Sequence, residues 1–121
     1  MSKVVLSVDD SASIRDMMAF SLEPKGYTVV KAEDGQDGLR QMAAHKIDMV
    51  ITDLNMPNMN GLELTRAIRA DARYDGIPVV LLTTEGQKEK MIEGKQAGAA
   101  GWIVKPFDEA KICSIVSKMI G

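Results

Sequence analysis

The sequence predicts one α/β domain over residues 1–121, with a five-stranded parallel sheet carrying helices on both faces. Three observations lead there. Strand-like and helix-like segments alternate five times with no linker, repeat or low-complexity tract between them, the pattern of successive βαβ units. Three of the strand-like segments, over 4–8, 47–52 and 77–82, read as continuous apolar runs, as strands covered on both sides do. A chain of 121 residues also has no room for two cores.

Each element has its own signal. The first strand runs from Val4 to Val8 and ends at Asp9 and Asp10. Ser11 and Ser13 are N-cap candidates for the following helix, and Asp16, three residues beyond Ser13, makes a weak capping box. Ile14, Met17, Met18, Ser21 and Leu22 keep helical spacing, and Pro24 with Gly26 closes the segment. Residues 27–31 form a shorter, more polar strand. Leu39, Met42 and Ala43 mark a second helix ending near His45. After the strand at 47–52 comes the loop Leu54-Asn55-Met56-Pro57-Asn58-Met59-Asn60-Gly61, and then a third helix marked by Leu64, Ala67 and Ile68. The strand at 77–82 precedes a fourth helix bearing Met91, Ile92 and Ala97, which Gly98 caps at its C-terminus. A short fifth strand spans 101–104. The last helix sets Ile112, Cys113, Val116, Met119 and Ile120 on one face.

The second strand alternates more and the fifth is short, so both suit sheet edges. With right-handed crossovers the economical strand order is 2-1-3-4-5, the flavodoxin-like arrangement. In that order the winding reverses between strands one and three, and ligands bind in the crevice at the carboxyl ends flanking that point. Those ends carry Asp9, Asp10 and Asp53.

Composition excludes several function classes. A formal net charge of −2 provides no electrostatic footprint for nucleic acid. No basic amphipathic stretch suits a membrane surface, and no apolar run has the length of a membrane span. The N-terminal apolar run stops at Asp9 and Asp10, unlike a signal peptide. One cysteine allows no internal disulfide, which fits a reducing, cytoplasmic setting. One histidine argues against a histidine base or a His/Cys metal cage. Chemistry must rest on carboxylates, hydroxyls and lysine.

Four separate strand ends supply those groups: Asp9 and Asp10, Asp53, Thr83, and Lys105 before Pro106. Taken singly, each has a bland reading, as a helix cap, a turn hydroxyl or a solvated charge. Together they form a site. At an effective dielectric of 20, two carboxylates 4 Å apart repel by roughly 4 kcal/mol, so protons or a cation must offset the cluster. Oxygen-only ligands point to a hard cation, Mg²⁺ or Mn²⁺. Mg²⁺ should then raise the melting temperature, and Asp10→Ala should stabilise the metal-free fold. A carboxylate can attack phosphorus, and phosphoryl transfer needs positioning and charge neutralisation. Asp53, followed by a loop that can open, is the best nucleophile; Lys105 supplies an ammonium and Thr83 a hydroxyl.

The ordered set Asp9-Asp10, Asp53 in Asp-Leu-Asn-Met-Pro-Asn-Met-Asn-Gly, Thr83-Thr84 and Lys105-Pro106-Phe107 resembles the receiver domain of two-component response regulators, over essentially the whole chain. The resemblance implies that Asp53 is the phosphoacceptor. It implies that Asp10 and Asp53 ligate Mg²⁺ with the Asn55 backbone carbonyl, Asp9 acting mostly through water. Lys105 would contact the phosphoryl group beside a cis Lys105–Pro106 bond, and Thr83 would swing toward it. Trp102 stands at the family's aromatic switch position, where its inward rotation would report phosphorylation to the face of helix four, strand five and helix five. Asn55 and Glu85 would tune autodephosphorylation. Such a protein is a switch that catalyses its own phosphoryl transfer and dephosphorylation, not a turnover enzyme.

The segment 93–107 is most similar to chemotaxis-type receivers. It implies a stand-alone, monomeric regulator, phosphorylated by a chemotaxis histidine kinase and acting on a flagellar motor switch component, with a phosphatase as a possible further partner. A phosphorelay intermediate or phosphate sink is the alternative within the family. An aspartyl phosphohydrolase of the haloacid dehalogenase group is disfavoured, because Asn55 stands where a second acid belongs. A flavodoxin-type FMN carrier is disfavoured by three acids beside the flavin phosphate. Trp102 also reads as part of a buried edge strand, Cys113 as an inert core thiol, and His45 as a partner of a helix C-terminus. Met56 and Met59 read as core filler before exposed contacts.

Overall fold

The computed structural model describes residues 2–84 and 88–121. In chain order they form β1 (Val4–Val8), α1 (Ala12–Leu22), β2 (Thr28–Ala32), α2 (Gly35–Ala44), β3 (Met49–Asp53), α3 (Gly61–Ala70), β4 (Val79–Thr84), α4 (Lys88–Ala97), β5 (Gly101–Lys105) and α5 (Glu109–Ile120). All four strand pairings are parallel, in the order β2-β1-β3-β4-β5. The flavodoxin-like arrangement expected from the sequence is the one observed. Among the described residues no helix is long and apolar enough to cross a membrane.

Alternation along each strand divides the core into slabs, because successive side chains leave opposite faces of a pleated sheet. On one face Val5, Met49, Ile51, Val80, Leu82 and Ile103 meet Met18 and Leu22 of α1 and Ile112 and Val116 of α5. On the other, Leu6, Val8, Val50 and Val79 meet Met42 of α2 and Leu64 and Ile68 of α3. A smaller cluster of Leu54, Leu62 and Leu81 lies on that second face, with Ala99 and Trp102 against it. Met56 and Met59 pack against the second slab, as core filler should. Cys113 is half-buried, and its thiol donates to the Ser21 carbonyl at 3.3 Å. His45 occupies the C-cap of α2.

Several boundaries differ from the sequence reading. The fourth strand begins at Val79, not Ile77, because Pro78 has no N–H for the ladder. The third begins at Met49, since the Asp48 carboxylate is turned to the Val4 N–H at 2.8 Å. Ser11 alone caps α1, accepting from the Ile14 N–H at 3.4 Å. Ser13 lies inside the helix, and Asp16 pairs with Lys31 across to β2 at 3.0 Å instead of forming a capping box. Pro24 opens a further 3₁₀ turn, Glu23–Lys25, before Gly26 ends it. At the end of α4, Gly98 N–H donates to Lys95 and Ala99 N–H to Gly94, closing the helix where the sequence placed its cap.

Candidate functional site

Register alone brings the strand-end groups together. Val8 of β1 pairs with Thr52 of β3, so the next residues, Asp9 and Asp53, leave the sheet side by side. Asp53 pairs with Leu82 of β4, and Thr83 with Val104 of β5, which puts Thr83 and Lys105 at the same edge. Carboxylate oxygens of Asp9, Asp10 and Asp53 all lie within 4.8 Å of one another. Lys105 Nζ is 3.3 Å from Asp53 Oδ1 and 4.0 Å from Asp9 Oδ2. The Lys105–Pro106 peptide is cis.

The three acids sit in unequal environments. Asp10 is exposed, whereas Asp9 and Asp53 are buried. Asp53 Oδ1 accepts the Leu54 N–H at 2.9 Å as well as the lysine. Asp9 Oδ1 accepts the Ser11 N–H at 2.9 Å, and the Asp9 carbonyl accepts Arg15 Nη1 at 2.6 Å. Burial pushes the Asp9 carboxyl up to about 6; the Ser11 N–H opposes this, the Asp53 and Asp10 charges add to it, and Lys105 subtracts.

Two buried oxygens at this edge have no hydrogen-bond partner among the described residues, Asp9 Oδ2 and Thr83 Oγ1. An unpaired buried polar atom is costly, and for Asp9 Oδ2 only the Lys105 ammonium, 4.0 Å away, offsets that cost. With all three acids ionised, the one ammonium leaves two negative charges uncompensated. A divalent cation matches that charge, and an all-oxygen donor set suits a hard one. The residues present therefore fit such an ion.

The remaining expected residues are placed less centrally. Asn55 lies on the exposed part of the loop two residues after Asp53. Trp102 is half-buried on β5, and forms one wall of a groove of about 540 Å³ with Lys88, Met91, Ile92, Lys95 and Gln96. Glu85 lies outside the described residues. Two supporting residues escaped the sequence reading. Arg15 anchors the Asp9 backbone, a contact between a loop and a helix that no periodicity signals. Gly61 approaches so closely that a Cβ there would stand 2.3 Å from the Asp53 carbonyl oxygen; the Asn60-Gly61 step was its only sequence signal.

A family profile described as the response regulator receiver domain matches residues 5–117. Chemotaxis protein CheY of Pseudomonas aeruginosa is 39% identical over 104 residues, covering 85% of this chain and 84% of that protein. Protein PilH of the same organism is 35% identical over 116 residues, 96% of each. Among solved structures, the chemotaxis response regulator CheY4 of Vibrio cholerae matches with a TM-score of 0.93 at 40% identity, over 98% of this chain and 99% of that one.

Proposed function

Because the chain belongs to the response regulator receiver domain family, we propose that it is a phosphorylation switch that takes a phosphoryl group from a histidine kinase onto Asp53. The observation that carries this reading is the pairing of Asp53 with Lys105 beside Asp9 and Asp10, next to the Thr83 hydroxyl, which has no hydrogen-bond partner among the described residues.

In the proposed step an Asp53 carboxylate oxygen forms a bond to phosphorus. The phosphorus–nitrogen bond of the donor phosphohistidine breaks, and the imidazole leaves with the electron pair and takes up a proton. A magnesium ion held by Asp9, Asp10, Asp53 and the Asn55 carbonyl would neutralise the phosphoryl oxygens during transfer. Lys105, 3.3 Å from the acceptor carboxylate, passes its charge-assisted bond to a phosphoryl oxygen. Thr83 donates its buried hydroxyl to another. Asn55 and Glu85 tune the water attack that ends the signal.

Output runs from Thr83 to Trp102 on the neighbouring strand, and so to the groove between α4 and β5. Phosphorylation supplies new bonds that select one of two arrangements of this face. We assign residues 1–121 to one receiver domain acting as a cytoplasmic monomer, and the likeness to CheY favours a chemotaxis kinase as donor and a flagellar motor switch component as target. PilH is matched as well, over 96% of its length; a phosphorelay intermediate or phosphate sink is the second reading.

The lone tryptophan provides the test. Trp102 emission is followed while Mg²⁺ and then beryllofluoride or acetyl phosphate are added, with Asp53→Asn as control. The expected result is a Mg²⁺-dependent change, extended by the phosphoryl reagent and absent in the control. No response to either reagent would overturn the phosphoacceptor assignment.

A further inference from the structure

The loop from Leu54 to Asn60 is held at two separate places. At its start, Leu54 N–H donates to the Leu82 carbonyl at 3.1 Å, and the Leu54 carbonyl accepts the Gly61 N–H at 3.0 Å. Farther along it is fastened to the N-terminus of α2, an element that contributes none of the site residues. Asn58 Nδ2 donates to Asp34 Oδ2 at 2.9 Å, and the Met59 carbonyl accepts the Gly35 N–H at 3.2 Å.

Both halves of this second fastening are specialised. Asp34 is 8% exposed, and its other oxygen caps α2 by accepting the Asp37 N–H at 2.8 Å. The Asp37 N–H and the Asn58 amide together hold its carboxyl below the usual carboxylate range, so it remains an ionised acceptor. Asn58 has a φ of 67°, a left-handed conformation that asparagine tolerates better than most side chains. A Cβ on Gly35 would stand 2.6 Å from Met59 Cγ and 2.7 Å from its carbonyl oxygen. Between the two fastenings lie only Asn55, Met56 and Pro57, the last with φ set by its ring.

We propose that Asp34 and Asn58 are a positioning pair for the site: their hydrogen bond holds the Asn55 segment in the conformation that turns its carbonyl toward the cation. This rests on the reading of Asp9, Asp10 and Asp53 as a divalent-cation site. Neither residue touches the cation. Their role is to remove, before binding, the disorder of a loop that would otherwise have to be ordered on binding.

The test measures Mn²⁺ binding to the full chain through the electron paramagnetic resonance signal of free Mn²⁺. In parallel, amide hydrogen exchange of residues 55–57 is measured in metal-free protein. Asn58→Gly keeps access to positive φ and deletes the amide. It should weaken Mn²⁺ binding about tenfold and speed exchange in the loop. Asn58→Asp alone sets two carboxylates together and should do at least as much. The double exchange D34N/N58D restores an amide-to-carboxylate bond in the opposite sense, and should return both readouts toward wild type. It also serves if Asn58→Gly does not fold. Unchanged loop exchange in Asn58→Gly, or failure of the double exchange to rescue, would overturn the pair's role. Wild-type protein that binds no Mn²⁺ would overturn the cation reading and the positioning role with it, whereas normal wild-type binding unaltered by Asn58→Gly would overturn the positioning role alone.

Discussion

Asp9 and Asp10 are chemically identical neighbours, and the fold makes them different. Asp9 is buried at 1% exposure and its carboxyl is pushed to about 6; Asp10 faces solvent. The Asp9 value lies above the 3.8 of an ordinary aspartate, so between those pH values the metal-free folded chain keeps a proton that the unfolded chain has lost. Its stabilising contribution is therefore complete below the unfolded pKa and is lost as pH rises through about 6, on the order of 3 kcal/mol in all. Asp34, whose carboxyl is lowered, has the opposite sign: it stabilises above its unfolded pKa and ceases to do so in acid. Subtraction separates the two. Urea melts in chelator from pH 4 to 7 should show wild type losing stability relative to Asp9→Asn as pH rises. Parallel profiles would remove Asp9 as the origin.

Among elements, four of the helices that start at the functional edge have their caps among the described residues, and each cap is a side chain: Ser11, Asp34, Asn60 and Asp108. The cap of α3 is the most complete. Asn60 Oδ1 accepts the Glu63 N–H at 2.9 Å while Glu63 Oε1 accepts the Asn60 N–H at 3.1 Å, a reciprocal capping box. Asn60→Ala should cost about 1 kcal/mol, read from the urea midpoint at unchanged slope. A loss near zero would mean that water replaces the cap without penalty. The Asn60–Glu63 spacing was present in the sequence, yet Ser13–Asp16 has the same form and is not a cap. Local spacing offers candidates, and the preceding strand's exit direction selects among them.

For the whole molecule, the concentration of unlike burdens at one edge has a measurable consequence. Three carboxylates share one ammonium at the site, so the metal-free fold is held together against its own charge. Mg²⁺ that binds only the folded state should stabilise it by about 2.7 kcal/mol at a hundredfold excess over Kd, roughly 10 °C in melting temperature for a domain of this size. Asp10→Ala should raise the metal-free melting temperature and abolish most of the Mg²⁺ response. A wild-type transition indifferent to Mg²⁺ would eliminate the cation site.

Sequence by itself determined the alternation of elements, the strand order and the four strand ends that carry the chemistry. These follow from hydrophobic period and chain handedness, which act over a few residues and leave few topologies. It also placed a cap at Gly98, and its preference for Met56 and Met59 as filler over exposed contacts agrees with their half-buried packing against the second slab. Only tertiary structure decided that Asp9 is buried and Asp10 is not: the Asp9 N–H still bonds the Ala32 carbonyl at the sheet edge, at 3.0 Å, whereas Asp10 lies in the bend that follows the strand. It alone revealed Arg15 beneath the Asp9 carbonyl and Asp34 joined to Asn58. Those contacts link segments through space between a loop and a helix, or between two loops 24 residues apart, where no period exists for a sequence to display.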